Sequence, residues 1–337
     1  MLRAPYLLFL GDAHDPLAAK VAQGIHDWRP EKALGQYRMA GCQADLGIAD
    51  MTIAEAAAQG AGTLVVGVAN QGGVLPDLWI GALKDALEAG MDVAAGLHNK
   101  LADIPELVET AKAHGRQLFD VRHPTQTFAV GKGEKRAGKR ILPVGTDCSC
   151  GKMYTALALE KEMQARGWKA TFRATGQTGI LISGDGVSID AVISDFIAGA
   201  TEWLTPENDP DHWDIVEGQG SLYHPSYAGV TTGLIHGAQP DALVLCHEPT
   251  RTHMRGLPKY PIPKLIDLMW LSKSVAQLTN PNAKFVGLSV NTAKLSEAEA
   301  KAMLSALEAE FELPAIDPVR TGVGPIVDRL KPAGLPA

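Results

Sequence analysis

Residues 144–155, VGTDCSCGKMYT, have the pattern of a phosphate-binding loop. Gly145 and Gly151 enclose a polar segment, and Lys152 follows at once before a run with helical periodicity. The backbone N–H groups of such a loop, the amino end of the helix and the lysine charge all favour a bound anion. The candidate cofactor-binding residues are Gly145, Thr146, Cys148, Ser149, Cys150, Gly151, Lys152 and Met153.

The residue after the lysine separates this loop from those of nucleotide-hydrolysing proteins, which place a Ser or Thr hydroxyl there to bind Mg²⁺. Here the position is Met153, whose thioether is a poor ligand for so hard a cation. Thr155 lies about 200° around the predicted helix from Met153, so its hydroxyl is not an obvious replacement. The pattern therefore weighs against metal-assisted ATP hydrolysis, and no metal is firmly implied, although Asp147 or Glu217 could hold one through water.

Short apolar runs that alternate with helical patterns predict the α/β framework that would position this loop. The predicted strands are 6–11, 63–69, 91–97, 140–145, 168–174, 213–218, 242–247, 284–290 and 312–317. A helix is predicted over 295–311, where Ser296 and Glu299 have the spacing of a capping box. The glycine-lysine segment lies between a predicted strand and a predicted helix, which is the context that phosphate loops require.

The length of 337 residues predicts two domains. We expect a Rossmann-like N-terminal domain over 1–125, a linker over 126–139 and, over 140–337, a P-loop NTPase-like α/β domain with a mainly parallel sheet. The boundary rests on residues 123–140, which are polar, lack periodicity and carry five basic residues. This stretch is interpreted either as a solvated linker or as a positive rim beside an anionic ligand.

Composition limits the possible partners. A net charge of −7 with a pI near 5.8 argues against a general nucleic-acid role. No apolar run reaches the roughly 20 residues that a bilayer requires, and the first residues do not resemble a secretory signal. Four cysteines in so long a chain do not predict a disulfide framework. We therefore expect a cytoplasmic protein that acts on small molecules without membrane or nucleic acid, and a homo-oligomer.

The loop and one later segment resemble dethiobiotin synthetase and related enzymes. Five residues separate Gly145 from Gly151, as in their G-T-D-x-x-x-G-K-T loop, and VEGQG around Glu217 resembles their E-G-x-G segment. This resemblance implies a shared P-loop fold over roughly 140–250. It leaves open an ATP-dependent ligase or small-molecule kinase, and the anion cradle alone leaves open a regulatory nucleotide sensor without turnover.

Four longer segments resemble the bacterial D-glutamate N-acetyltransferase family, the DgcN-like proteins. They are residues 65–103, 145–163, 174–200 and 216–249. The resemblance covers almost the full length and implies a Rossmann-like domain, a P-loop-like domain and acetyl transfer from acetyl-CoA to the amine of D-glutamate in D-glutamate breakdown. A glycine loop can bind the phosphates of acetyl-CoA through N–H groups, so Met153 is then no obstacle.

That chemistry requires a base, because the substrate amine is mostly protonated near neutral pH. Glu217 is the first candidate, since a carboxylate at the carboxyl end of a parallel strand faces the ligand crevice; otherwise it only orders the glycine turn. Asp147 in the loop is the second, and Asp185 and His224 are weaker candidates. An acetyl intermediate on a thiol of the Cys148-Ser-Cys150 segment is a further alternative to a purely structural role for the cysteines.

The two carboxylates of D-glutamate require cationic partners. Arginines at strand ends and in loops suit bidentate binding of a carboxylate, and Arg122 is one of them. The preferred substrate-binding candidates are Arg173, Arg251 and Arg255. In the first domain, residues 11–16, 69–73 and 96–100 cluster at predicted strand ends, where they are expected to form a second wall of the cleft.

Overall fold

A computed structural model describes residues 2–68 and 74–330 of the chain. The strands are β1 (Tyr6–Gly11), β2 (Ala33–Arg38), β3 (Thr63–Val66), β4 (Asp92–Ala95), β5 (Leu118–Asp120), β6 (Lys139–Gly145), β7 (Ala170–Arg173), β8 (Trp213–Val216), β9 (Ala242–His247), β10 (His253–Met254), β11 (Leu257–Pro261), β12 (Lys284–Val290) and β13 (Ala315–Ile316). The helices are α1 (Lys20–Trp28), α2 (Ile53–Ala58), α3 (Asp77–Glu88), α4 (Pro105–Ala113), α5 (Lys152–Ala165), α6 (Gln177–Ser183), α7 (Ile197–Leu204), α8 (Ala228–Ala238), α9 (Leu265–Gln277), α10 (Glu297–Phe311) and α11 (Gly324–Asp328).

The chain divides into two compact units. The first comprises Met1–Gln126 with Gly176–Ala191, and the second comprises Thr127–Thr175 with Val192–Ala337. The segment that contains α6 thus packs with the first unit, although it falls within 140–337, the range predicted for the second domain. Its contacts explain this: Lys32 Nζ donates to the carbonyl oxygens of Ile182 and Ser183 at 3.1 and 2.7 Å.

The first unit is built on a five-stranded parallel sheet in the order β2-β1-β3-β4-β5. This is a doubly wound order, in which the chain reverses its direction across the sheet between β1 and β3. Each residue of β1 is buried, because the apolar run YLLFL occupies the centre of the sheet.

The second unit is built on a six-stranded parallel sheet in the order β13-β12-β9-β6-β8-β7. The first strand of this unit, β6, is therefore central, with β8 on one side and β9 on the other. Ligands of open parallel sheets bind where the strand order reverses, outside the carboxyl ends of the strands. The loop after β6 lies at that position.

The predicted α/β class, with a Rossmann-like domain and a P-loop domain on mainly parallel sheets, is confirmed. Strands predicted at 6–11, 242–247 and 284–290 have the observed bounds, and the predicted capping box closes around Ser296, whose side chain accepts from Glu299 N. The edge strand β2 and the antiparallel hairpin of β10 and β11 were not predicted. Both are half-exposed or exposed and carry polar residues, so neither shows a buried apolar run.

Two arginines of the basic stretch 123–140, the second of them inside β6, belong neither to a solvated linker nor to a positive rim. Arg140 is fully buried and donates to the carbonyl oxygens of Ala137 and Pro206 at 3.0 Å. Arg136 donates to Thr205 O at 2.8 Å, and burial lowers its pKa to about 10. These guanidinium groups anchor the start of the second unit.

Among the described residues, no helix has the length and apolar character needed to cross a bilayer.

Candidate active site

The segment between β6 and α5 forms a loop with two left-handed residues. Ser149 has φ of 52° and Gly151 has φ of 114°. Alternation of right- and left-handed residues turns successive N–H groups toward one concave side, which is the geometry of an anion nest. Gly145 begins the loop, and a Cβ there would lie 2.5 Å from Cys150 Sγ. The sequence GTDCSCGK therefore folds into a tight loop for which glycine is required at its first position.

Lys152 lies at the first position of α5 with its side chain buried, at 6% exposure. Its Nζ donates to the carbonyl oxygen of Asp147 at 2.7 Å. The turn after β8 contacts the same side chain, since a Cβ on Gly218 would lie 3.0 Å from Lys152 Cδ. The ammonium group is thus held inside the loop, between the ends of β6 and β8.

Several N–H groups of the loop have no acceptor. In the part of the chain that the structure describes, the backbone N–H groups of Ser149, Cys150 and Gly151 donate to no other group. Unpaired donors at a helix amino end favour an anionic ligand. The loop geometry therefore suits phosphate oxygens, as the sequence pattern predicts.

Nucleotide-hydrolysing loops have a hydroxyl at the position of Met153, and Thr155 of α5 does not replace it. Thr155 is fully buried, and its hydroxyl lies 2.7 Å from Ser289 Oγ and 3.0 Å from Gly151 O. It points into the core beneath the loop, where a bound Mg²⁺ could not reach it. The thioether of Met153 remains the only side-chain group at the usual position.

Asp147 is fully buried, and both of its oxygens are engaged. Oδ1 accepts from Cys148 N at 2.7 Å, while Oδ2 accepts from Arg251 Nη1 and from Arg255 N, each at 2.8 Å. Arg251 also donates to Glu248 Oε2 at 2.7 Å. Two of the predicted substrate-binding arginines, Arg251 and Arg255, thus come together with the predicted catalytic Asp147.

Glu217 follows β8 and is buried, at 4% exposure. Its Oε2 accepts from Thr175 N at 2.8 Å, and the Thr175 hydroxyl donates to Glu217 O at 2.6 Å. Gln219 Nε2 donates to the same hydroxyl at 3.1 Å. Because the next residue, Gly218, contacts Lys152, the structure brings this carboxylate to the same end of the sheet as the loop.

Arg173 does not join the loop. Its Nε donates to Asp214 Oδ1 at 2.7 Å, and Asp214 is itself buried in β8. A guanidinium paired with a buried carboxylate stabilises two adjacent strands and leaves little capacity for a second carboxylate.

Two further candidates belong to the first unit. Arg122 pairs with Asp190 at 2.6 Å, and the carboxylate of Asp185 accepts from Gly186 N at 2.9 Å, as a turn residue does. Residues 11–16 and 96–100 follow β1 and β4 of that unit. Residues 69–73, the third part of the expected cleft wall, lie outside the described residues.

One cluster of the described residues has the composition of a metal site. A carboxylate oxygen of Asp147, the Cys148 thiol and a ring nitrogen of His224 lie within 4.8 Å of one another. The oxygens of Asp147 already accept N–H donors, one of them the Arg251 guanidinium, which would repel a cation. His224 Nδ1 accepts from Ser226 N at 3.1 Å. These residues do not fit a metal ion, and we derive no step through one.

The Cys148 thiol has little thiolate character. Burial raises its pKa above the ordinary value of 9.0, although the charge of Lys152 acts in the opposite direction. A protonated thiol is a weak nucleophile. The acetyl-cysteine alternative is therefore disfavoured by the surroundings of the residue.

Sequence patterns missed three residues that order the site. His247 at the end of β9 lies 3.1 Å from Thr146 Oγ1 through Nδ1, and burial lowers the pKa of its imidazole. Glu248 holds Arg251, and Thr175 holds Glu217. The predicted strand end after ALVLCH was the available signal for His247 and Glu248, because side chains there face the ligand crevice.

Proteins of related sequence and structure match this chain over nearly its full length. Residues 37–124 match a Rossmann-like domain of unknown function described as DUF1611_N, and residues 127–327 match the P-loop domain described as DUF1611_C. A D-glutamate N-acetyltransferase of Tritonibacter scottomollicae is 61% identical over 330 residues, which cover 98% of this chain and 99% of that protein. One from a Pseudoalteromonas species is 51% identical, with 98% and 99% covered. The crystal structure of a DUF1611 family protein from Anabaena variabilis has a TM-score of 0.84 at 33% identity, covering 97% of this chain and 99% of the other.

Proposed function

This chain belongs to the DUF1611 family together with proteins named D-glutamate N-acetyltransferase, and from that premise we propose that it transfers an acetyl group to the amine of D-glutamate. The proposal is carried by full-length identities of 61% and 51% to two proteins of that name. It requires an acyl donor and a small-molecule acceptor, and the second unit offers residues suited to each.

We assign the donor as acetyl-CoA, with its phosphates at the loop between β6 and α5. Three unpaired N–H groups and the buried ammonium of Lys152 support this assignment. The burial of the Thr155 hydroxyl and the thioether at Met153 favour an anion bound without Mg²⁺.

Glu217 is the proposed general base. It would take a proton from the ammonium group of D-glutamate, whose nitrogen then attacks the thioester carbonyl. The tetrahedral intermediate collapses as the carbon–sulfur bond breaks and the nitrogen gives its second proton to the departing sulfur, so coenzyme A leaves as the thiol and Glu217 returns the first proton to solvent. Asp147 is less suited to this role, because its two oxygens already accept three N–H donors.

Arg255 is the proposed partner for a substrate carboxylate. Its guanidinium is exposed and donates to Ser149 Oγ at 3.2 Å, and no carboxylate of the described residues pairs with it. Arg251 and Arg173 are already paired with carboxylates of the protein. An exposed fork next to the loop suits bidentate carboxylate binding.

The test is thiol release from acetyl-CoA by the purified protein with D-glutamate, with L-glutamate and without an acceptor, each with and without a chelator. We expect release that depends on D-glutamate and is unchanged by the chelator. Absence of release with any amino acid, together with ATP consumption or Mg²⁺-dependent ATP binding, would instead favour the ligase or kinase alternative.

We further propose that the protein acts in D-glutamate breakdown in the cytoplasm and assembles into a homo-oligomer. Support for a reducing compartment comes from the four cysteines, which are all free in the described residues. Light scattering of the purified protein tests the assembly, and growth on D-glutamate after deletion of the gene tests the metabolic role.

A further inference from the structure

We propose that Arg251 is a positioning residue that orients the peptide groups of the phosphate loop. It is thus not a ligand for the substrate, which is the role that the sequence pattern suggests. The inference rests on the proposed function, because it takes the loop as the binding site for the phosphates of acetyl-CoA.

The guanidinium of Arg251 is almost fully used within the protein. Nε donates to Glu248 Oε2 at 2.7 Å and Nη1 donates to Asp147 Oδ2 at 2.8 Å. Nη1 also donates to Cys148 O at 2.7 Å, and Nη2 donates to Ser149 O at 2.8 Å. Because an arginine has five N–H donors, too few remain for a bidentate bond to a substrate carboxylate.

These bonds determine where the loop N–H groups point. In a planar trans peptide the C=O and the following N–H point in opposite directions. The carbonyl groups of Cys148 and Ser149 face the guanidinium, so the N–H groups of Ser149 and Cys150 face away from it. The preceding carbonyl, that of Asp147, is held by Lys152 Nζ at 2.7 Å. The carbonyl groups of Asp147, Cys148 and Ser149 are thus fixed by hydrogen bonds, and this fixes the orientation of the unpaired N–H groups that follow them.

The charge of Arg251 is compensated by the carboxylates that it contacts. Asp147 and Glu248 both pair with it. Although burial alone would raise the pKa of Glu248, hydrogen bonds from Thr250, the charge of Lys294 and a hydrogen bond from Arg251 lower it, so this carboxylate is ionised near neutral pH. The contribution of Arg251 to the loop is therefore the planar arrangement of its guanidinium N–H donors, which a lysine cannot reproduce.

The experiment measures the affinity for coenzyme A by calorimetry, steady-state kcat and KM for acetyl-CoA, and thermal stability. The variants are Arg251→Met, Arg251→Lys and the double variant Arg251→Met with Asp147→Asn. Arg166→Met is the matched control, because Arg166 lies at the carboxyl end of α5, opposite the loop, and likewise donates to a carboxylate and a carbonyl, Glu162 Oε1 at 2.7 Å and Gly324 O at 3.2 Å.

We expect Arg251→Met to weaken coenzyme A binding roughly 10- to 100-fold, as a small misplacement of binding groups does, and to raise KM with little change in kcat. Arg251→Lys keeps the charge and is expected to bind nearly as weakly. In the double variant the buried carboxylate is no longer charged, so stability should recover relative to Arg251→Met while affinity stays low. Arg166→Met should retain wild-type affinity.

Wild-type affinity in Arg251→Met or in Arg251→Lys would overturn the inference. Recovery of both stability and affinity in the double variant would also overturn it, since Arg251 would then only offset the charge of Asp147. If the wild-type protein itself neither binds coenzyme A nor releases thiol, the proposed function fails, and that outcome is distinct from the others.

Discussion

Lys152 contributes the one full positive charge inside the phosphate loop. Its ammonium is buried and lies 2.7 Å from Asp147 O, so its position is set before a ligand arrives. A charge-assisted hydrogen bond contributes about 1.5 to 3 kcal/mol, so we predict that Lys152→Ala weakens acetyl-CoA binding roughly 10- to 150-fold. Calorimetric titration measures this directly. Lys161→Ala, an exposed position of the same helix, is the control, and equal affinity in the two variants would contradict the prediction.

Glu217 is expected to affect turnover and not binding. In Glu217→Gln the amide oxygen can still accept from Thr175 N, but the side chain can no longer take up a proton. We predict that kcat falls by about 100-fold or more, a typical contribution of a general base, while the dissociation constant of acetyl-CoA is unchanged. Near-normal turnover would remove Glu217 as the base.

The turn after β8 has to pass very close to β6. An added Cβ on Gly218 would lie 1.8 Å from Pro143 O and 3.0 Å from Lys152 Cδ, so no side chain fits there without a shift of the backbone. We predict that Gly218→Ala lowers stability by about 1 to 3 kcal/mol, as overpacking does, and impairs the loop. Thermal unfolding and acetyl-CoA affinity are the measurements.

Gly229 in α8 is the matched control for this turn. A Cβ on Gly229 meets no heavy atom within 4 Å, so Gly229→Ala should be neutral or raise stability by up to about 1 kcal/mol through helix propensity. Equal effects of the two glycine substitutions would show that close packing at the end of β8 is not the cause.

At the scale of the whole molecule, acid should destabilise the second unit through three partly buried histidines. Burial lowers the pKa values of His212, His236 and His247, so the folded state favours their neutral forms. Below about pH 6.5 the unfolded chain binds more protons than the folded one, and the stability that is present above this pH is lost as the pH falls. We predict a drop in the thermal midpoint between pH 7.5 and 5.

One substitution separates this effect from general acid sensitivity. His247→Asn should make the drop smaller, because one of the three groups is removed, whereas His253→Asn at an exposed position should leave it unchanged. An identical slope in His247→Asn and the wild type would show that His247 does not contribute to the pH dependence.

Much of the framework could be predicted from the order of residues. Strands such as YLLFLG and ALVLCH are buried across the centre of a sheet, so an apolar run is both necessary and visible. Gly145, Gly151 and Lys152 are close in sequence, and their spacing between a predicted strand and a predicted helix is enough to predict a P-loop. The same sequence also carried the family resemblance, which the comparisons confirm.

Other features depended on contacts between distant segments, which local patterns do not encode. Arg251 looks like a substrate ligand in the sequence, but the fold brings it against the loop carbonyls and against Asp147, which is 104 positions away in the sequence. Likewise, Arg173 pairs with Asp214, and the Thr155 hydroxyl is hydrogen-bonded to Ser289. A charged or polar side chain takes the partner that folding brings within hydrogen-bond distance, and strand order, which sets those distances, arises only when the sheets assemble.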